Sequence, residues 1–203
     1  MKKINLLIIS LFLIGINSIF SQQEYTATKV FGKENLAVRD LRSSALTGNI
    51  GWNGLSGVGV SFHVYPTTKI GVEGGLGLSS TGFKLGVRGK YLFTDKNFTP
   101  TVGAGFLYGT GSSIDITYDA TATQGMFTYQ VNASPFIQIV GGFEYMSNGG
   151  FLIGFDAGYA ALLNGTNYTI TSGSPNKDTL TAMDIALGSG IVLEVSIGFA
   201  FGR

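Results

Sequence analysis

The chain has no cysteine, and charged residues make up only 12% of its 203 positions. The lack of cysteine excludes disulfides, thiolate metal sites and the lipidated N-terminal cysteine of a mature lipoprotein. It does not exclude an exported protein, because a closed β-sheet supplies its own cooperativity. The length is enough for one domain. Glycine, by contrast, is abundant at 31 residues.

Long apolar runs are also missing, apart from one near the N-terminus. Within Met1–Ser21, Lys2 and Lys3 precede the apolar run Ile4–Ile16, and the small residue Ser21 follows. This is the pattern of a cleavable signal peptide. The alternative, a permanent membrane helix, is disfavoured because the run is shorter than the ~20 residues that a spanning helix needs. We therefore expect export, with any later membrane residence as a β-barrel.

The expected mature chain is close to neutral. Cleavage after Ser21 would leave 11 basic and 12 acidic residues, which gives no reason to expect nucleic-acid binding. The next segment, 22–45, is more polar, and the spacing of Leu36, Val38 and Leu41 suggests one or two helical turns. We interpret it as a periplasmic N-terminal segment, with a plug or a lid of the following domain as the alternative.

From residue 46 onward the sequence alternates between apolar and small or polar residues. In the run Phe83–Phe93 the odd positions are mostly apolar and the even positions carry Lys84, Arg88 and Lys90. Because a strand sends successive side chains to opposite faces, one face is apolar and the other is cationic. Eight such runs occur, and most reach the ~9–11 residues of a membrane-spanning strand. The predicted strands are Leu46–Asn53, Ser56–Pro66, Lys69–Ser79, Phe83–Phe93, Phe98–Ser112, Ala133–Ser147, Gly150–Leu163 and Gly190–Gly202.

The connections between these runs alternate in length. The joins Thr67–Thr68, Thr94–Asn97 and Asn148–Gly149 are tight, whereas the long loops 113–132 and 164–189 both fall on the opposite side. Spanning barrels keep short turns at the periplasmic side and long loops outside. The sequence therefore predicts an all-β fold, an eight-stranded antiparallel up-and-down transmembrane β-barrel over residues 46–203.

Two features predict that the apolar face points outward. Glycine is the commonest residue of the polar faces, and it weakens a water-exposed strand but suits the crowded interior of an eight-stranded barrel. Aromatic residues also recur near both ends of the apolar faces, as expected at the two membrane interfaces. They are Tyr91, Phe93, Phe98, Tyr145 and Phe201 at the inner rim, and Trp52, Phe83, Tyr108 and Tyr159 at the outer rim. We therefore expect this face to contact outer-membrane lipid.

The polar faces then place the charged residues in the lumen. Three cations and four carboxylates meet there, with His63 nearby. Opposite charges about 4 Å apart attract strongly enough to offset part of their desolvation, which favours a mutually compensating ionic network that fills the barrel. The alternative is a proton or ion path. The predicted network comprises Glu73, Lys84, Arg88, Lys90, Glu144, Asp156 and Glu194.

The last run places Phe199 and Phe201 on the apolar face. Together with the eight runs, residues 46–203 resemble the small outer-membrane barrels of the OmpA/OmpX type, especially the barrel-domain proteins of Bacteroidota. The resemblance implies location in the cell outer membrane and insertion by the barrel-assembly machinery, with Phe199 and Phe201 as the assembly signal. Members of that family usually end on an aromatic residue, whereas Gly202 and Arg203 follow here.

The sequence shows no catalytic constellation, and we expect no cofactor and no metal. A Ser–His–Asp site would need His63, the sole histidine, whose strand position points it into the barrel toward the periplasmic end. Enzymes that resemble this architecture place their catalytic groups at the outer rim. The repeated G-x-G units have period two without a following helix, so they indicate lumen spacing and not a nucleotide site.

The two long loops carry the remaining information. Ile114, Ile116 and Tyr118 continue the alternation of the fifth run, Phe127 and Tyr129 that of the sixth, and Ile185 and Leu187 that of the eighth. Both hairpins are predicted to project as strands with unpaired edges, which can accept a partner's strand; the alternative is that the extra length only stiffens the loops. The predicted anchors for an extracellular protein or surface ligand are Tyr118, Phe127 and Tyr129.

The functional hypothesis is a non-enzymatic outer-membrane barrel with a structural or surface-interaction role. Hairpins 113–132 and 164–189 are its predicted contact region. The alternatives are an outer-membrane enzyme that acts on envelope lipid and a narrow channel.

Overall fold

The computed structural model describes residues 37–121 and 124–202. The predicted signal peptide 1–21, and residues 22–36 of the predicted periplasmic segment, lie outside the described residues. Among those described, no helix is both long and apolar enough to cross a membrane.

Eight antiparallel strands close into a barrel, as predicted. The barrel strands are β1 Ser44–Trp52, β2 Val58–Thr67, β3 Ile70–Ser79, β4 Gly82–Leu92, β5 Phe98–Gly109, β8 Ser134–Met146, β9 Phe151–Leu162 and β11 Gly190–Phe201. Around the barrel they run in the order β1, β11, β9, β8, β5, β4, β3, β2, and β1 closes the sheet by pairing with β11 from Ser44↔Phe201 to Trp52↔Leu193. Each predicted run corresponds to one of them, with ends shifted by a few residues.

The barrel wall is inverted relative to that of a water-soluble protein. In β4, Phe83, Leu85 and Val87 are exposed on the outer face, whereas Lys84 and Arg88 are each only 2% exposed inside. All nine aromatic residues predicted at the two rims are exposed as well. Monomeric soluble proteins rarely expose contiguous apolar surface of this extent, so this wall needs a hydrocarbon environment.

A second, three-stranded sheet, which we call the outer sheet, comprises β6 Ser112–Tyr118, β7 Phe127–Val131 and β10 Tyr168–Ser172. Its strands lie in the order β10, β7, β6. The pairing Gly109↔Ser134 of β5 and β8 continues in register to Ser112↔Val131 of β6 and β7, and the β6–β7 ladder then shifts by two residues before Ile116↔Tyr129. The order β10, β7, β6 follows that of β9, β8 and β5, so the outer sheet extends the wall above these three strands.

The second long loop departs from the prediction. Ile185 and Leu187 do not continue β11; they lie in an α-helix, α2 Lys177–Leu187, which follows the short helix α1 Val38–Leu41 in chain order. The Asn176 side chain caps α2 by accepting a hydrogen bond from the Thr179 backbone N–H at 2.8 Å. The helix is favoured because Met183 and Leu187, four residues apart, share one face that packs on buried residues of β7.

Candidate functional site

The lumen of the barrel is filled along its length. An outer apolar cluster and an inner apolar cluster are both buried. On β9, Asp156 lies between Leu152 of the inner cluster and Ala160 of the outer one, and on β11 Glu194 likewise follows Val192. The charged groups therefore form a layer between two apolar layers. The outer cluster is Leu55, Leu107, Phe136, Val140, Ala160 and Val192; the inner is Val38, Ala45, Tyr65, Leu92, Met146, Leu152 and Ala200.

Arg88 is the centre of the charged layer. Its Nη2 lies 2.6 Å from Glu73 Oε2 and 2.9 Å from both Asp156 Oδ2 and Glu194 Oε1. Its Nη1 donates to Gln138 Oε1 at 3.2 Å. The planar guanidinium has five N–H donors in a fixed geometry, so it can bind several acceptors that lie in one plane. A lysine ammonium has three donors that do not share a plane. Four strands other than β4, namely β3, β8, β9 and β11, are thus tied to one side chain.

Lys90 supports the same carboxylates from one side. Its Nζ lies 2.7 Å from both Glu73 Oε1 and Asp156 Oδ2. Lys84, by contrast, makes no ion pair among the described residues; its ammonium lies 5.4 Å from the centroid of the Phe136 ring, where a cation–π contact stabilises it. All seven predicted network residues are buried inside the barrel, but Lys84 stands apart from the paired group.

Arg39 of α1 is a lumen residue that the sequence reasoning missed. It is 2% exposed, its Nη2 lies 2.8 Å from Glu144 Oε1, and it also donates to the carbonyl oxygen of Lys96. Tyr65 donates its hydroxyl to the other oxygen of Glu144 at 3.0 Å. The described residues just before β1 therefore reach into the inner end of the barrel.

Arg39 also balances the lumen charge. With it, four cations face four carboxylates, which are Arg39, Lys84, Arg88 and Lys90 against Glu73, Glu144, Asp156 and Glu194. The sequence did hold a signal for this residue, because the strands alone supply one carboxylate too many, and an uncompensated buried charge is costly. The alternation of apolar and polar residues within the strands could not indicate which basic residue outside the strands would supply the fourth positive charge.

The outer end is closed by the loop between β1 and β2, residues 53–57, which folds into the lumen. Leu55 is fully buried in the outer apolar cluster, and its backbone N–H donates to Glu194 Oε2 at 2.5 Å. Gln138 donates to the carbonyl oxygen of Asn53 at 2.9 Å. The chain reverses inward because Asn53 (φ 52°) and Gly57 (φ 68°) adopt left-handed backbone conformations. No sequence pattern showed that this loop would turn inward.

Three lumen residues lie close enough together to raise the question of a metal site. His63, Glu73 and Glu144 each offer one ligand atom, all within 4.8 Å of one another. Glu73 is already bound by Arg88 and Lys90, however, and Glu144 by Arg39. A divalent cation there would face three positive side chains, so the donor set does not fit a metal. His63 instead contacts Glu73 through Nδ1 at 3.1 Å and Thr47 Oγ1 through Nε2 at 2.8 Å.

Comparisons with known proteins leave the family open. No family model matches the chain, and no curated protein matches it. Among solved structures, the N-terminal β-barrel domain of OprF from Pseudomonas aeruginosa is similar, at 15% identity and a TM-score of 0.42, over 78% of this chain and 98% of that one. A TM-score of this size adds no argument to the strand pairing above.

The outer sheet has its own small apolar cluster. Phe127, Val131, Met183 and Leu187 are buried between β7 and α2. Tyr168 of β10 donates its hydroxyl to Asp184 of α2 at 2.9 Å. Burial, and then this hydrogen bond to the carboxylate, raises the pKa of Tyr168. The outer sheet and α2 are therefore held together by packing and by a polar link.

The three predicted anchors differ in their placement. Tyr118 on β6 is 46% exposed, and Tyr129 is half-buried. Phe127 is only 1% exposed, so its predicted role as an exposed anchor is wrong. It is buried because α2 covers β7, which a loop interpreted as two plain strands could not reveal. Phe199 and Phe201, the predicted assembly signal, are both exposed on the outer wall of β11.

Proposed function

We propose that this chain is an integral barrel of the outer membrane that does not conduct ions and holds the outer sheet outside the cell as an interaction surface. The observation that carries the proposal is the combination of an apolar outer wall with a lumen filled from end to end. The apolar wall needs contact with lipid. The two apolar layers and the ionic layer fill the lumen, so the barrel can act as a rigid support for the outer sheet. The proposed role is thus structural display, consistent with the resemblance to small outer-membrane barrels.

Within residues 37–121 and 124–202, no arrangement of side chains favours the enzymatic alternative. The sole histidine, His63, is buried in the lumen and bound to Glu73 and Thr47. It lies on β2 only two residues from Tyr65 of the inner apolar cluster. His63 is therefore near the periplasmic end of the barrel. A lipid headgroup of the outer leaflet would lie at the opposite, outer end.

Surface labelling of single cysteines tests the proposal, because the chain has no cysteine of its own. We expect a membrane-impermeant maleimide to label Ile114→Cys on intact cells, since Ile114 in the outer sheet is 74% exposed. The matched control is Lys69→Cys in the exposed turn between β2 and β3, at the opposite end of the barrel. It should react only after the outer membrane is permeabilised. Equal labelling of both variants on intact cells, or of neither, would refute the proposed display.

A further inference from the structure

The strand β6 forms one edge of the outer sheet. Among the described residues β6 pairs with β7 alone, so one side of it carries unpaired N–H and C=O groups. Natural proteins blunt such edges with lysine, with proline, with β-bulges or by covering them. Ser112–Tyr118 contains neither lysine nor proline, and six of its seven residues are exposed. Its pairing with β7 has a bulge between Ser112 and Ile116 and is regular from Ile116 to Tyr118. This edge is open to pairing with another strand.

One face of β6 is apolar and uncovered. Ile114, Ile116 and Tyr118 alternate along the strand and are 74%, 38% and 46% exposed. Ile116 and Tyr118 lie on the same face as Phe127, because they pair directly with Tyr129 and Phe127, and the rings of Tyr118 and Phe127 stack at 5.3 Å. The helix α2 covers this face over β7, where Phe127 and Val131 are buried. The apolar layer therefore continues past the helix and ends at the free edge.

The sequence of β6 is complementary to itself in one antiparallel register. If Ile116 lies opposite Ile116 of a second copy, Ile114 lies opposite Tyr118 and Asp115 lies opposite Thr117. Apolar pairs and uncharged partners for Asp115 are both favourable across strands. A shift of the centre to Asp115 would set two aspartates against each other, and a shift to Thr117 would set Asp115 against Asp119. Only the Ile116-centred register of these three avoids a like-charge pair.

From these observations we infer that the partner of the outer sheet is a second copy of this chain, joined edge to edge through β6. The inference rests on the proposed function, since it requires the sheet to stand outside the membrane. Two copies would form one six-stranded sheet in which the apolar faces of both β6 strands adjoin. Each copy presents the same strand to the other, as a two-fold symmetric contact requires.

The orientation of the outer sheet fixes where the second copy lies. The strands of the outer sheet, in the order β10, β7, β6, follow the order of β9, β8 and β5 in the wall. The first pair, Ser112↔Val131, keeps the register of Gly109↔Ser134 before the ladder shifts at a bulge ahead of Ile116, so the sheet rises from the barrel wall. The two-fold axis of an antiparallel pair is perpendicular to the sheet, and here it therefore lies close to the membrane plane. The second barrel then points in the opposite direction. The contact joins copies in two facing membranes, not neighbours in the same membrane.

The register is tested by disulfide trapping in vesicles that carry the full chain. Directly opposite residues of antiparallel strands have Cα atoms about 4.5–5.5 Å apart, within the range of a disulfide. Oxidation should convert Ile116→Cys into covalent dimers and cluster the vesicles, and a reductant should reverse both effects. Ile114→Cys is the matched control, because its copies would be roughly 14 Å apart along the strand and should not cross-link.

Other outcomes overturn the inference. Equal cross-linking of both variants, dimers without vesicle clustering, or a cross-link to a different protein would each contradict a facing second copy in this register. If Ile116→Cys fails to insert, Thr117 offers a second test on vesicle clustering without oxidation. Thr117→Lys, opposite Asp115, should strengthen clustering by roughly threefold or more, and Thr117→Asp should weaken it by a similar factor. No difference between these two variants would also overturn it.

The proposed function and this inference fail separately. If Ile114→Cys is labelled on intact cells but Ile116→Cys does not cross-link, the outer sheet is displayed and the second copy is not its partner. If Ile114→Cys is not labelled, the display itself is refuted. The matched substitution Ile185→Lys, on an exposed position of α2 away from β6, should leave clustering unchanged, whereas Ile116→Lys should abolish it.

Discussion

Replacing Arg88 with leucine is expected to destabilise the folded barrel by about 3–5 kcal/mol, the usual cost of removing one partner of a buried charged group. Arg88 contacts Glu73, Asp156 and Glu194 within 2.9 Å. Without it, Lys90 still pairs with Glu73 and Asp156, but Glu194 has no ion pair among the described residues. The measurement is the urea midpoint of unfolding in lipid vesicles, followed by the gel mobility of unheated samples, since folded and unfolded barrels migrate differently.

Lys84→Leu is the matched control for this prediction. Lys84 lies on the same strand, is equally buried and carries the same charge, but it makes no ion pair among the described residues. Its removal should therefore shift the midpoint much less than Arg88→Leu. Equal shifts for the two variants would show that the lumen responds to total charge and not to the contacts of Arg88.

The second large effect is expected at Arg39. Among the described residues, Arg39→Leu leaves Glu144 with the Tyr65 hydroxyl as its one hydrogen-bond partner, so we expect a loss of about 3 kcal/mol or more. The variant also removes the donor to the carbonyl oxygen of Lys96 in the turn before β5. The stability measurement is the same as for Arg88.

A double-mutant cycle separates charge from packing at this end of the barrel. Glu144→Gln in the Arg39→Leu background removes the stranded carboxylate, and it should recover part of the lost stability. If the double variant is as unstable as the sum of the two single variants, Arg39 acts through packing of α1 alone. A wild-type midpoint for Arg39→Leu would contradict its placement in the lumen.

The barrel was predictable because apolar and polar residues alternate in eight successive segments, and such alternation is typical of β-strands with one apolar face. In β4, Phe83 and Lys84 already fix which face is apolar and which is charged. Even the lumen assignment followed from where glycine and charge fall along the strands. The wall therefore depends on local alternation, which a single sequence displays.

The closures at the two ends of the lumen were not predictable in the same way. Leu55 and Arg39 both lie outside the strands, and their positions depend on contacts with Glu194 and Glu144, which are distant in sequence. The helix α2 escaped detection because Ile185 and Leu187 fit both a period of two and the phase of β11. Burial of Met183 and Leu187 against β7 decided between the alternatives, and such a tertiary contact has no local signal.

The most direct test of the central claim, that the apolar wall of the barrel lies in hydrocarbon, uses the single tryptophan. Trp52 is 50% exposed on the outer wall of β1. In vesicles of lipids brominated on the upper acyl chain, its fluorescence should be strongly quenched, while aqueous iodide should have little effect. A Trp52 that iodide quenches as readily as it does in the urea-unfolded chain, and that brominated lipid leaves unchanged, would contradict the account.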